Sequence, residues 1–224
     1  MPGWLRRPVA WLAGRILRIA EKRVAITLAE AGYSDLFAAD PPVFPNYLAG
    51  TPPAPRAVDP AGGVVYLGDV TAARGLTVAV EAVGRAGVQN MTVLGRCSSE
   101  FRAELTRLAD GSGLNLDFRG FVTPDQALRI ASSAALGLSP LLDTPNYRDS
   151  LPTKVLEYLA VGIPTLASDL PGTRAVVGDK PGVVLVPPGE TDMWRQAVQA
   201  AVGDPDLREA ARSSAENIRK AYGW

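Results

Sequence analysis

Short apolar runs alternate with helix-like stretches along most of the chain, and the alternation becomes regular from residue 63 onward. The intervening segments carry apolar residues at helical spacing. This alternation is typical of βαβ units, so the sequence predicts an α/β fold: a doubly wound parallel six-stranded sheet covered by helices on both faces. The predicted strands lie at 63–68, 90–95, 114–120, 134–140, 165–167 and 182–187.

The stretch from 150 to 169 shows these elements most clearly, as a loop, a short helix, a tight turn and a buried strand. Pro152 suits the first turn of a helix, where a missing N–H costs nothing. Positions 155, 156, 159 and 160 form an apolar stripe at helical spacing. Gly162, followed by Pro164, is predicted to end the helix.

Charged residues gather at the start of this helix. Lys154 and Glu157 share a helix face away from the apolar stripe, and Asp149 lies eight residues before Glu157. The first N–H groups of a helix have no internal partner and bind anions, while a carboxylate can accept two hydrogen bonds from a ribose diol. The combination suits a phosphorylated, hydroxyl-rich ligand. The same residues also have an interpretation without a ligand. Lys154 and Glu157 fit a solvated surface pair, and Asp149 fits a simple helix cap.

Ligands of a doubly wound fold bind at the carboxyl ends of its strands. Arg74 follows the first predicted strand and Arg96 the second, while Gly120, Phe121 and Val122 follow the third and suit backbone contacts with a flat base. Each arginine alone is typical of a protein surface, but their common sheet edge favours an anion site. The absence of both the GxGxxG fingerprint and the lysine-bearing P-loop disfavours dinucleotide oxidoreduction and nucleoside triphosphate hydrolysis.

Residues 1–39 are predicted to be helical, apart from a short strand at 24–27. Between Arg6 and Arg23 there are six basic residues and one acid, and apolar residues at 12, 16 and 19 share one face. Such a helix can pack against another domain, the use that we favour. It can also make peripheral contact with an anionic membrane through residues 4–23.

Residues 40–60 contain seven prolines, which resist helix and central strand alike and predict a semi-rigid linker. Within this linker, the segment PVFP at 42–45 is expected to pair briefly as an edge strand. The boundary between the helical segment and the regular domain is therefore predicted to fall in this proline-rich stretch.

Composition narrows the possible functions further. The 224 residues carry 23 basic and 23 acidic side chains, and this balance argues against nucleic acid as a partner. There is no histidine, which excludes Ser-His-Asp and Cys-His catalysis and any histidine-ligated metal within the chain. The single cysteine, Cys97, cannot form an intrachain disulfide and favours a cytoplasmic location.

Several segments, in chain order, resemble the C-terminal half of family-4 retaining glycosyltransferases of the GT-B fold, the glycosyl transferases group 1. The resemblance spans nearly all of 42–224 and is most specific at 150–172. The matching segments are PNYL at 45–48, VVYLGDVTAARGL at 64–76, TVLGR at 92–96, DFRGFVT at 117–123, ALGLSPLL at 135–142, SLPTKVLEYLAVGIPTLASDLPG at 150–172 and GVVLVPPGETD at 182–192.

This resemblance implies a Rossmann-like domain over 61–224 that binds a nucleotide-diphosphate sugar as its donor substrate, with no cofactor and no metal. It implies that Glu157 holds the ribose hydroxyls, that Asp149 is catalytic and faces the sugar hydroxyls, and that Arg74 neutralises the diphosphate. The implied donor-binding set is Gly68, Arg74, Arg96, Phe121, Val122, Asp149, Ser150, Leu151, Thr153, Lys154 and Glu157.

Two positions depart from the family pattern. Asp69 stands where the family often carries a second basic residue, and its charge would repel a diphosphate. Asp149 stands where a glutamate is usual and is shorter by one methylene. Both departures bear on donor affinity.

Enzymes of this family have two similar domains, with donor and acceptor meeting in the cleft between them, and residues 1–39 resemble the end of the acceptor domain. We therefore expect this chain to be the donor-binding half of a glycosyltransferase. We expect that enzyme to be located in the cytoplasm or at the inner face of the membrane. It would use a UDP or GDP sugar with retention, in glycan or cell-envelope polysaccharide synthesis. The alternative is a non-catalytic nucleotide-sugar-binding subunit that completes a separate acceptor-domain chain. A nucleotide-sugar epimerase is disfavoured because the chain has no histidine and only one such domain.

Overall fold

The computed structural model describes residues 3–44, 48, 52–55 and 62–223. The chain forms two compact units, Met1–Asn46 and Tyr47–Trp224. The boundary lies within the segment predicted as a linker, much of which, including residues 45–47 of the PNYL segment, lies outside the described residues.

The first unit contains helix α1, Gly3–Ala20, and a 3-10 turn, Ala31–Leu36. The prediction of helix outside 24–27 is wrong for 21–23 and 28–30, because the Glu21 carboxylate accepts hydrogen bonds from the N–H groups of residues 38 and 39 and the chain folds back. The strand predicted at 24–27 is also wrong. Only Leu28 forms a bridge, to Val43 in the segment expected to pair briefly, and no adjacent described residue extends it into a strand.

The second unit is built on a parallel six-stranded sheet, which confirms the predicted α/β fold. Its order is β3-β2-β1-β4-β5-β6, and the order reverses between β1 and β4, where a doubly wound sheet opens its ligand crevice. The strands are β1 Val64–Leu67, β2 Asn90–Leu94, β3 Asn115–Gly120, β4 Leu136–Ser139, β5 Thr165–Ser168 and β6 Val183–Val186.

Helices connect successive strands and cover both faces of the sheet. The helices are α2 Leu76–Arg85, α3 Ser99–Asp110, α4 Pro124–Ala131, α5 Thr153–Ala160, α6 Pro171–Val177, α7 Thr191–Ala201 and α8 Pro205–Tyr222. Alternation along β1 shows the two layers, since Val64 and Tyr66 belong to one apolar cluster with α2, α3 and α7, whereas Val65 and Leu67 belong to another with α4 and α5.

The helix predicted after residue 150 is present as α5, although Pro152 occupies its N-cap rather than its first turn. The ψ of 62° at Pro152 lies outside the helical range, so the helix begins at Thr153. The apolar stripe of α5 is fully buried, and Gly162 adopts a φ of 77° just beyond the helix, as a C-terminal glycine commonly does. Among the helices described, none is both long and apolar enough to cross a membrane.

Candidate functional site

A pocket of about 250 Å³ opens at the carboxyl ends of β1, β2 and β3, against the start of α5. One side of the pocket is apolar, and the other carries charged groups and backbone. Its walls are formed by Leu67, Gly68, Asp69, Leu94, Gly95, Phe121, Val122, Pro124, Ala127, Leu128, Thr153, Lys154 and Glu157.

Two glycines allow the loops after β1 and β2 to approach closely. Gly68 has a φ of 120°, and a Cβ there would overlap the Cε of Lys154 and lie 2.9 Å from its Nζ. Gly95 has a φ of 153°, and a Cβ there would overlap the carbonyl oxygen of Gly68. The Lys154 ammonium therefore lies directly over the backbone at the end of β1.

Arg74 reaches the same place from the 3-10 turn Ala72–Arg74 that follows β1. One of its guanidinium nitrogens would lie 3.6 Å from a Cβ at Gly68, the glycine that Lys154 covers. The ion pairs within 4 Å among the described residues include neither Arg74 nor Lys154. Within the described part of the chain, two cations without a carboxylate partner at that distance thus converge on one pocket.

The charged side chains of α5, Lys154 and Glu157, are largely removed from water. They therefore do not form the solvated surface pair that the sequence left open. Burial raises the pKa of Glu157 above its ordinary value, while the nearby Lys154 ammonium opposes this shift. Burial also lowers the pKa of Lys154, and the repulsion from Arg74 adds to this effect, whereas Glu157 and Asp69 oppose it. Ionisable groups whose pKa values are shifted by burial and by a neighbouring charge are typical of functional sites.

Tyr158 fixes α5 beneath the sheet edge. Its hydroxyl accepts a hydrogen bond from the N–H of Leu67 at 2.8 Å and donates one to the carbonyl of Leu138 at 3.2 Å. Gly137 makes room for the ring, since a Cβ there would lie 2.6 Å from it. Because Tyr158 follows Glu157 in the helix, these contacts set the position of the carboxylate relative to β1 and β4.

The loop after β3 forms the outer lip of the pocket. Phe121 is 67% exposed and lines the pocket beside Val122. The guanidinium of Arg96 stacks on the Phe121 ring, with its Cζ 5.0 Å from the ring centroid. Arg96 itself lines a neighbouring groove, which shares Asp69 with the pocket.

The loop before α5 holds three of the remaining predicted residues outside the pocket wall. Asp149 is exposed, and its backbone packs on Gly172 at the start of α6, where a Cβ would lie 2.6 Å from the Asp149 carbonyl carbon. The Ser150 hydroxyl donates to the carbonyl of Tyr147 at 3.1 Å, and Leu151 is partly buried next to α5.

The structure thus brings together most of the set predicted from the sequence. Six members line the pocket and Arg74 adjoins it, while Arg96 lines the neighbouring groove and Asp149, Ser150 and Leu151 lie outside the pocket wall. The six are Gly68, Phe121, Val122, Thr153, Lys154 and Glu157. Sequence reasoning missed Tyr66, Tyr147 and Tyr158, whose contacts depend on the folded chain. Among the described residues, no group of three or more potential metal ligands is found.

Residues 61–204 match the family model for glycosyl transferases group 1. Among curated proteins, the D-inositol 3-phosphate glycosyltransferase of Jonesia denitrificans is 29% identical over 99 residues, which are 44% of this chain and 22% of that protein. The alpha-D-kanosaminyltransferase of Streptomyces kanamyceticus is 27% identical over 163 residues, 70% of this chain and 41% of that protein. The chain thus spans less than half the length of both relatives.

Solved structures show the same fold. The Anabaena protein HepE, crystallised in complex with UDP and glucose, is similar over 95% of this chain and 63% of its own, with a TM-score of 0.72. The two sequences are 13% identical, so this likeness is one of fold.

Proposed function

Because this chain belongs to the glycosyl transferases group 1, we propose that it is the donor-binding half of a retaining glycosyltransferase that uses a nucleotide-diphosphate sugar. In such a reaction the bond from the sugar carbon to the β-phosphate oxygen breaks, and a bond from the same carbon to the oxygen of an acceptor hydroxyl forms. The proton of that hydroxyl passes to the nucleoside diphosphate as it leaves. The negative charge that develops on the leaving group must be stabilised by cations held in place beforehand.

One observation carries the proposal: the Arg74 guanidinium and the Lys154 ammonium converge over Gly68, which lines the same pocket as Glu157. Two like charges in a partly buried pocket repel each other, which raises the free energy of the empty site. A diphosphate would relieve that repulsion. A lone cation pair would fit any anion, but the carboxylate beside it adds selection for hydroxyl groups.

The geometry supports one assignment of the donor. The diphosphate would lie between Arg74, Lys154 and the first turn of α5, whose dipole favours anions. Glu157 would accept hydrogen bonds from the ribose hydroxyls, and the base would lie against Phe121 and the backbone of Val122 at the lip. Asp149, outside the pocket wall, would face the transferred sugar rather than the nucleotide.

The acceptor would be bound by a second domain or partner chain, and cleft closure on the donor would exclude water and orient the two substrates. The limited coverage of the curated relatives, 22% and 41% of their lengths, supports this part of the proposal. It equally suits the alternative, a non-catalytic nucleotide-sugar-binding subunit. The two functions differ in what they require of Asp149. A transferase needs this residue for the transfer step as well as for binding, whereas a binding subunit needs it for binding alone.

A calorimetric titration of UDP, GDP and ADP, with their glucose derivatives, against the wild-type chain tests the donor site. We expect one nucleotide family to bind, and Glu157→Ala to weaken it by about tenfold or more, because a hydrogen bond to a charged group is lost. Glu216→Ala is the matched control, since Glu216 is an exposed glutamate on α8 whose ion pair is with Lys220 on the same helix. Wild-type protein that binds none of the six ligands, or equal losses in both variants, would overturn the proposal.

A further inference from the structure

The guanidinium of Arg74 stacks on a tyrosine from another loop. Its Cζ lies 5.6 Å from the ring centroid of Tyr147. Tyr66 is fully buried at the start of the segment that leads to Arg74, and its hydroxyl donates to the carbonyl of Asp69 at 2.9 Å. We infer that Tyr147 is a positioning residue that fixes Arg74 for the second phosphate of the donor. This inference rests on the proposed function.

A tyrosine beside Arg74 answers a specific electrostatic requirement. An arginine side chain loses much conformational freedom when it is held in one geometry, so a fixed guanidinium needs contacts that compensate. A carboxylate would orient it but would also cancel its charge, and none of the carboxylates described forms an ion pair with Arg74. A tyrosine ring orients the cation through stacking, and it leaves the full charge of the cation for the diphosphate.

The Tyr147 ring also links Arg74 to the loop before α5. The N–H of Tyr147 donates to the carbonyl of Thr144 at 3.0 Å, and Arg148 pairs with Asp143 at 2.9 Å, which closes the loop. The carbonyl of Tyr147 accepts from the Ser150 hydroxyl, so the stretch that carries Asp149 depends on the same residue. The segment that holds the phosphate-facing cation is therefore tied to the segment that faces the sugar.

The diphosphate and monophosphate of one nucleoside separate this role from a structural one. We expect Tyr147→Ala to weaken UDP binding, or that of whichever diphosphate the wild type binds, by about three- to tenfold. Binding of the matching monophosphate should change by less than about twofold, because it lacks the phosphate that Arg74 meets. Tyr147→Phe retains the ring and should keep the wild-type ratio of the monophosphate and diphosphate dissociation constants. Arg74→Ala should bring that ratio close to one.

The double variant of Arg74 and Tyr147 should bind the diphosphate no more weakly than Arg74→Ala alone. Calorimetry at fixed ionic strength measures all four variants.

Each outcome bears on one of the two claims. A wild-type chain that binds no nucleoside diphosphate would overturn the proposed function and this inference together. A wild type that binds the diphosphate through Arg74 while Tyr147→Ala binds it equally well would overturn only the inference. Equal losses of diphosphate and monophosphate in Tyr147→Ala, or a further loss on the Arg74→Ala background, would show that Tyr147 merely supports the loop.

Discussion

Glu157 and Lys154 show how the proposed binding site reduces the stability of the fold. Taking a charged group out of water costs free energy unless a partner compensates, and here the two charges compensate each other only in part. The opposite directions of their pKa shifts, with burial as the main cause in each, are the signature of that cost. Binding of a ligand that offers hydroxyls and phosphates would recover part of it.

The pH dependence of stability should reveal the cost at Glu157. An acid with a raised pKa in the folded state contributes stability that is fully present below its ordinary pKa of 4.5 and is lost as pH rises through the folded value. We therefore expect Glu157→Gln, which does not titrate, to gain free energy of unfolding relative to wild type as pH rises above 4.5. Urea denaturation at a series of pH values measures this difference.

Glu216→Gln is an internal control of opposite sign. The hydrogen bond to Lys220 lowers the pKa of Glu216, so its contribution is present above 4.5 and is lost as pH falls through the lowered value. Wild type should therefore gain stability relative to Glu216→Gln as pH rises. A Glu157→Gln variant that follows the same trend would contradict the burial of Glu157.

At the scale of elements, the loop after β1 should tolerate no side chain at Gly68. We expect Gly68→Ala to weaken nucleotide binding by about tenfold or more, because its Cβ would force Lys154 out of the pocket. Gly87→Ala is the control, since Gly87 has a φ of 81° but no described atom lies within 4 Å of the place that its Cβ would take. Both variants lose about 1 kcal/mol of stability through backbone strain. Calorimetry with the bound nucleotide should show weaker binding for Gly68→Ala alone, and equal affinities would argue against the assigned position of Lys154.

Tyr158 should matter to stability through its hydroxyl. Tyr158→Phe leaves the buried N–H of Leu67 and the carbonyl of Leu138 without their side-chain partner, and we expect a loss of about 1–3 kcal/mol in the free energy of unfolding. Tyr33→Phe, at an exposed tyrosine of the first unit, should cost less than about 0.5 kcal/mol, as is usual for surface changes. Chemical denaturation of both variants tests this, and similar small losses would show that the hydroxyl is not needed to hold α5.

The strands were predictable because a parallel sheet covered on both faces leaves little choice of residue. The predicted strands overlap the observed ones, and their bounds differ by at most two residues. Short apolar runs such as VVYL and VVLV are typical of strands that are buried on both faces. The segment 21–30 was not predictable, because the hydrogen bonds that Glu21 accepts from residues 38 and 39 depend on the folded chain. The pocket was predictable as the meeting point of several loops. The contact between Arg74 and Tyr147 was not, because Arg74 follows β1 whereas Tyr147 comes from the loop after β4.

At the scale of the whole molecule, helix α1 of the first unit carries an exposed apolar face. Val9, Leu12, Ile16 and Ile19 of α1 are each between 45% and 58% exposed, and α1 has no acidic residue. Large exposed apolar patches mark interaction surfaces. The sequence leaves two roles open for this apolar face of α1. We favour packing against protein over contact with an anionic membrane.

Substitution of this face should change the association of the chain. We expect Ile16→Glu to lower self-association at micromolar concentration, because a charge would replace an apolar side chain that other proteins or copies can cover. Met193→Glu, at a 48% exposed position on α7, should leave association unchanged. Light scattering coupled to size-exclusion chromatography measures both. Identical profiles for wild type and Ile16→Glu would show that this face of α1 does not mediate self-association.

The central claim is that a nucleoside diphosphate occupies the pocket at Gly68. A crystal structure of the chain with the nucleotide it binds most tightly tests this claim most directly. The account predicts phosphate density between Arg74, Lys154 and the start of α5, with the ribose hydroxyls on Glu157. A nucleotide bound elsewhere, or one that leaves Glu157 without a contact, would contradict it.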